Sequence, residues 1–285
     1  MIASAPGKII LFGEHAVVYG KRALVAAVNL RCRVEVKKSQ NYLISSPLGK
    51  TGLDFKVHPY ISFAIRRFHE VKKIEGVEVK VDSDIPIASG LGSSAAVAVA
   101  TIKALDAEFE TSLSDRDIFE MAKQVEIDVQ GTSSGIDPFV ATYGGAWIFP
   151  ERKKVDIKQK FFLINLGQKS TAKMVSAVCQ LRSKYPEIID KIFDAIDFLV
   201  CEAARCNDLE KLEELISINQ SLLRAIGVST PEIDEKIAKL EREGFKAKIT
   251  GAGGGGCIYG IVKDRIPEGS LVVEVSYDGA KIEDS

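Results

Sequence analysis

The chain has 285 residues, 46% of them hydrophobic, with 38 basic and 39 acidic side chains and a net charge of −1. That length suits two domains and that composition a soluble globular core. The lack of a basic field argues against nucleic acid or a membrane surface as partner, and no run of residues is long and apolar enough for a transmembrane helix.

The N-terminus lacks a basic stretch followed by an apolar one, so no signal peptide is expected. Cys32, Cys179, Cys201, Cys206 and Cys257 are odd in number and contain no Cys-x-x-Cys. They predict neither a disulfide framework nor a zinc site, but small apolar side chains in a reducing cytoplasm.

Residues 2–5 and 9–18 are apolar and β-rich, broken at Pro6-Gly7. Residues 30–37 set Cys32, Val34 and Val36 against Arg31, Arg33 and Glu35, the alternation of a half-buried strand. Helical spacing follows at 57–71, and alternation returns at 76–82. Next comes Ile-Pro-Ile-Ala-Ser-Gly-Leu-Gly-Ser-Ser-Ala-Ala, residues 85–96, opening a helix over 93–109. A second helix is predicted over 115–129, with Ser114 as N-cap and Asp115 and Asp117 in its first turn. Gly131-Thr-Ser-Ser-Gly-Ile-Asp137-Pro138 reads as a turn or cap, and 144–149 as a closing strand. Pro150 and the charged run 151–154 mark a composition shift, so a domain boundary is placed there: 1–155 and 156–285. The second half opens with a strand at 161–166. Helices follow at 171–185, 187–206, 208–226 and 231–243, then strands at 245–250, 257–263 and 271–276, an α+β pattern.

Residues 85–96 concentrate the chemistry. Gly90 and Gly92 let backbone amides converge, Ser93 and Ser94 add hydroxyls, and the following helix aims its positive end at the same point. This is an anion site, read here as a nucleotide-phosphate loop. Commoner phosphate motifs fail. Leu48-Gly49-Lys50-Thr51 has the tail of a Walker A loop, but the required upstream glycine is Ile44. Gly251-Ala-Gly-Gly-Gly-Gly256 fits G-x-G-x-x-G but leads into a strand-like run. Gly90-Leu-Gly92-Ser-Ser-Ala95 opens a helix but lacks a tight preceding strand. Four consecutive glycines give nothing to a core and suggest backbone close to a bulky ligand.

Taken singly, Lys8, Glu14, His15, Glu126 and Asp137 each have an ordinary structural reading. Together with the loop they supply what phosphoryl transfer needs: amides for phosphates, hard oxygens for Mg²⁺ (Ser94, Glu126), a carboxylate near an acceptor hydroxyl (Asp137) and a cation (Lys8).

Three stretches resemble the motifs of the GHMP kinase superfamily: Ala5-Pro-Gly-Lys8 through Gly13-Glu14-His15-Ala-Val-Val-Tyr-Gly20, Pro86 through Ala96, and Lys248-Ile-Thr-Gly-Ala-Gly-Gly-Gly-Gly-Cys257. Gly13 to Gly20, Gly131 to Asp137, and Glu126 eleven residues before Asp137 are most similar to the members that phosphorylate mevalonate. The resemblance implies an α+β GHMP kinase fold: an N-terminal ATP-binding domain like ribosomal protein S5 domain 2, and a ferredoxin-like C-terminal domain. It implies transfer of the ATP γ-phosphate to the primary hydroxyl of mevalonate, by a cytoplasmic homodimer. It maps catalysis onto Asp137 and Lys8, and ATP binding onto Ala88, Ser89, Gly90, Leu91, Gly92, Ser93 and Ser94. Mg²⁺ maps onto Ser94 and Glu126, and the substrate onto Glu14 and His15. Members commonly carry arginine where this chain has Cys179, leaving Arg182 or Lys173 to meet the substrate. Phosphomevalonate or homoserine as acceptor, a 3-kinase or decarboxylase-like activity, and a non-catalytic nucleotide sensor are the alternatives.

Overall fold

Two sheets organise the chain in a computed structural model that describes residues 1–87, 89–167 and 171–283. Strand β1, Ile2–Phe12, pairs antiparallel with β2, Ala23–Ser39. The predicted break at Pro6-Gly7 is a register shift inside one continuous strand. A bulge absorbs the missing proline N–H without ending the pairing. The strand predicted to run to 18 instead stops at Phe12. Gly13 and His15 take φ of 101° and 57°, which no extended chain allows, and a 3₁₀ turn, Ala16–Tyr19, follows.

Strand β2 explains its own sequence. Its second half buries Cys32, Val34 and Val36 on one face and alternates as predicted. Its first half is covered on both faces. Leu24, Ala26 and Val28 join the main core, while Ala23, Val25 and Ala27 meet a second cluster containing Phe119, Phe139 and Phe149. A strand buried on both faces loses its alternation. The sheet continues through β3 (Tyr42–Ser46), β4 (Gly49–Thr51), β5 (Gly76–Ser83), β6 (Ala146–Phe149), β7 (Lys153–Val155) and β12 (Lys281–Ile282). Its main path is β12-β1-β2-β5-β3-β4, with β6 on β2 and β7 on β6. The Walker-like tail is the β3–β4 hairpin.

Four helices pack on this sheet: α1 (Pro59–Val71), α2 (Ser93–Phe109), α3 (Asp115–Gln130) and α4 (Ile136–Tyr143). The α2 helix is alanine-rich and buried on most sides, so backbone approaches backbone against β1, β2, α1 and α3. Ser114 caps α3 as predicted, in a capping box with Asp117. Asp137-Pro138 lies in the first turn of α4 rather than in a loop, where proline needs no partner for its missing N–H.

The second sheet holds β8 (Phe161–Asn165), β9 (Lys248–Ile249), β10 (Cys257–Ile261) and β11 (Leu271–Val273), antiparallel in the order β11-β8-β10-β9. Helices α5 (Thr171–Lys184), α6 (Pro186–Ala203), α7 (Leu209–Ala225) and α8 (Pro231–Arg242) accompany it. Phe162 and Ile164 point into a cluster with Phe193, Ile233 and Ile237, while Phe161 and Leu163 belong to the core shared with the first sheet. The run Phe-Phe-Leu-Ile is therefore apolar because both faces are covered. The chain then returns: Val275 bridges Val28, and β12 pairs with β1. No described helix is long and apolar enough to cross a membrane.

The capping box satisfies donors at the start of α3, the helix that carries Glu126. Ser114→Ala is expected to lower unfolding stability by about 1 kcal/mol with turnover per folded molecule unchanged, read by urea titration alongside a rate assay.

Candidate active site

The geometry starts from β1. Gly7 and Gly92 pack the strand and the glycine loop back to back. A Cβ on Gly7 would lie 2.8 Å from the Leu91 carbonyl oxygen, and one on Gly92 would lie 2.9 Å from Lys8 Cγ. Lys8 N donates to Leu91 O at 2.8 Å. This closeness threads the Lys8 side chain under the loop. Its ammonium donates to Gly90 O at 3.2 Å and faces Asp137 Oδ2 at 3.4 Å. Lys8 is 6% exposed, so the pair is screened far less than a surface contact.

Gly92 is the N-cap of α2, left-handed with φ 76°, and no side chain caps this helix. Gly135 starts α4 in the same way, with φ 73° and no side-chain cap. The α2 helix therefore presents first-turn amides without a capping side chain, whereas at α4 the Ile136 amide donates to Ser134 Oγ at 3.3 Å. An anion is the group that such an N-terminus favours. Both ends border a cavity of about 360 Å³ that also contains Ser93, Ser94, Glu126 and Ser134. Of the sequence-predicted residues, Lys8, His15, Ser89, Gly90, Gly92, Ser93, Ser94, Glu126 and Asp137 line it. Leu91 is buried beneath it, and Ala88 lies outside the described residues.

Glu126 projects from α3 and accepts a hydrogen bond from the Ser133 hydroxyl. Burial, reinforced by the Asp137 charge, pushes its carboxyl up to about 7, with Ser133 and Lys8 opposing. A carboxyl whose ionisation is opposed by burial and by a neighbouring carboxylate marks a place where a cation is favoured. Among the described residues no group of three or more His, Cys, Asp or Glu side chains is placed to hold a metal ion. The donors present are a carboxylate and hydroxyls. Such a set suits Mg²⁺, which keeps waters and substrate phosphates rather than filling an all-protein cage.

His15 reaches the cavity from its left-handed turn. Its Nε2 lies 2.9 Å from Ala252 O. A carbonyl only accepts, so Nε2 carries the proton. Glu14 is placed differently from the expectation. It is 1% exposed and does not line the cavity. Its Oε1 accepts from Lys248 Nζ on β9. Burial raises the Glu14 carboxyl and lowers the Lys248 ammonium, and each charge opposes the other's shift. Lys248 had no assigned role in the sequence reading. The available signal was that Glu14 is the one acid among the first 34 residues and needs a partner if buried.

The second glycine loop also departs from expectation. Gly251 and Ala252 line the cavity. Gly253 has a φ of 74°, with Val228 where a Cβ would stand; a Cβ on Gly254 would lie 2.8 Å from Met174 Sδ. The run is glycine-rich because protein packs against it as well as facing the cavity. Arg182 ion-pairs with Asp190 at 2.6 Å and covers the Tyr19 ring, outside the cavity; Lys173 and Cys179 are exposed outside it too.

A second cavity of about 370 Å³ shares Ser93 and Ser94 with the first. Leu48, Val57, Ile85, Ile87 and Val97 give it apolar walls. Its buried His58 is bonded to the Ser46 and Thr51 hydroxyls at 2.8 Å each. Tyr60 of this cavity accepts from Gln130 of the first at 2.7 Å. These residues were not singled out from sequence, since an apolar pocket and an apolar core read alike.

Comparison with known proteins follows the same lines. Residues 59–145 match the family description "GHMP kinases N terminal domain", and residues 199–278 match "GHMP kinases C terminal". The chain is 62% identical over 284 residues to the mevalonate kinase of Archaeoglobus fulgidus, covering 100% of both chains. The crystal structure of Methanococcus jannaschii mevalonate kinase superposes with a TM-score of 0.83 at 30% identity, covering 100% of this chain and 98% of that one. The L. major mevalonate kinase in complex with R-mevalonate superposes at 0.79 and 26% identity, covering 92% and 86%.

Gly92→Ala sets a Cβ against Lys8 and forces a left-handed backbone. It is expected to weaken MgATP binding by at least about tenfold, measured by calorimetry. Unchanged affinity would refute the role given to this loop.

Proposed function

The chain belongs to the GHMP kinase family, and on that footing we propose that it transfers the γ-phosphate of ATP to the 5-hydroxyl of (R)-mevalonate, giving 5-phosphomevalonate. The observation that carries this reading is the ion pair of buried Lys8 with half-buried Asp137 beside the uncapped end of α2. A cation, a carboxylate and a phosphate cradle meet in one cavity.

The backbone of Gly90 to Ser93 and the first amides of α2 receive the phosphates. The apolar cavity next to Ser93 and Ser94 takes the nucleoside base. Asp137 lies where it can accept, or orient, the proton of the acceptor hydroxyl. Lys8 faces that carboxylate at 3.4 Å and meets the charge that spreads over the transferring group. In a loose transition state, such positioning and charge stabilisation outweigh base strength. Ser94 and Glu126 are the residues that would hold Mg²⁺, which supplies charge neutralisation of the phosphates.

The acceptor end discriminates between the candidate substrates. Among the described lining residues, Lys8 is the one Lys or Arg. A phosphorylated acceptor would need more cationic charge than this, which favours mevalonate over phosphomevalonate. Ile10, Val17, Ile136 and Val175 offer apolar wall for its methyl-bearing carbon. With Arg182 held by Asp190, the substrate carboxylate falls to backbone amides around Gly251 and Ala252, a loop that the His15 Nε2–H holds through the Ala252 carbonyl. As a family member the protein is further proposed to act as a cytoplasmic homodimer, and sedimentation equilibrium measures its assembly.

A coupled ADP-release assay is expected to show turnover with mevalonate and little with phosphomevalonate, homoserine or galactose; a different preferred acceptor would overturn the assignment. Asp137→Asn and Lys8→Met should each lower kcat by about a thousandfold while circular dichroism and MgATP binding persist. Near-normal rates in either would sink the proposed mechanism.

A further inference from the structure

Four contacts sew the first strand and its turn to the second sheet. The Thr250 hydroxyl accepts from Ile10 N at 2.9 Å and donates to Ile10 O at 3.1 Å. The Tyr259 hydroxyl donates to Leu11 O at 2.6 Å. His15 Nε2 donates to Ala252 O. The fourth is ionic: Lys248 Nζ donates to Glu14 Oε1, and to Ile249 O at 2.7 Å. Both side chains of the pair are 0% exposed. The ammonium lies over the Phe12 and Tyr259 rings, at 5.6 and 5.1 Å.

Cohesion alone does not account for an ion pair here. Burying two charges costs several kcal/mol per ion, and apolar side chains of similar volume often serve stability as well or better. The pair is also incompletely satisfied, since Glu14 Oε2 is buried without a hydrogen-bond partner among the described residues. What a charge pair adds is a single geometry, because sliding either element leaves both charges unpaired. The elements it ties are the two that build the acceptor end. Glu14 precedes His15, and Lys248 leads into Gly251 and Ala252; all three of those neighbours line the cavity, while Glu14 and Lys248 do not.

We propose that the buried Glu14–Lys248 pair is a positioning element that fixes the His15 turn of the first domain against the glycine loop of the second, and so sets the acceptor end of the site. Lys248 is then a positioning residue for phosphoryl transfer, acting through His15 and Ala252. This rests on the mevalonate-kinase reading above. ATP is held by the loop and helix of the first domain, so loss of the pair acts on the acceptor and on the rate more than on the nucleotide.

The test compares Lys248→Met with the double variant E14Q/K248M, which leaves no uncompensated buried charge. In Lys248→Met, kcat is expected to fall and KM for mevalonate to rise, each by at least about fivefold, with KM for ATP within about twofold. Amide hydrogen exchange over 251–256 should accelerate by at least about tenfold while that of α2 is unchanged. The double variant should regain the melting temperature of the parent but not its rate or its slow exchange. Three results would overturn the proposal: unchanged exchange at 251–256 in a folded variant, parental kinetics in the double variant, or an activity loss that only tracks the unfolded fraction. If Lys248→Met does not fold, the double variant carries the same kinetic and exchange comparison. Exchange is read without substrate, so a parent protein inactive on mevalonate would refute the functional reading while the coupling is still decided.

Discussion

Everything in the cavity depends on how closely β1 and the glycine loop approach each other. Side chains at residues 7 and 92 would hold them apart. With glycine at both, the Lys8 amide bonds to Leu91 and the Lys8 side chain has one route, under the loop toward Asp137. A flexible lysine thereby becomes a fixed charge, most of its rotamer entropy surrendered on folding rather than at each catalytic cycle. The α2 helix is anchored by the same contact, since its N-cap is one of the two glycines.

The two carboxylates reach this charge from different elements. Glu126 comes from the last turns of α3, where its own helix dipole disfavours it. Asp137 comes from the first turn of α4, where the dipole favours it. Burial, more than the dipole, holds Glu126 reluctantly ionised.

Much of this was legible in the sequence, for identifiable reasons. The boundaries of α2 follow from Gly92 and an uninterrupted alanine-rich run, and the start of α3 from the Ser114 and Asp117 signature. The Lys8, Ser94, Glu126 and Asp137 set was readable because few residue types serve phosphoryl transfer. Residues 13–18 were misread because valine suits strand and turn alike. The turn is fixed by a positive φ at His15, which composition does not announce. Strands β3, β4 and β12, of five, three and two residues, are too short for alternation to show. Glu14 was placed at the substrate by the resemblance of residues 13–20; only the fold reveals Lys248, 234 residues away, as its partner.

The return of the chain has a bearing on how the molecule comes into being. Ala3 pairs with Ile282 and Ser4 with Lys281, and Arg31 donates to the carbonyls of Asp278 and Gly279. The edge of β1 stays open until residues 281–282 leave the ribosome, so the nascent first sheet carries an unpaired strand edge until then. The same adjacency brings residues 3–4 and 281–282 side by side. A short linker joining them, with new termini cut in an exposed loop, preserves every strand pairing and makes the protein a natural subject for circular permutation.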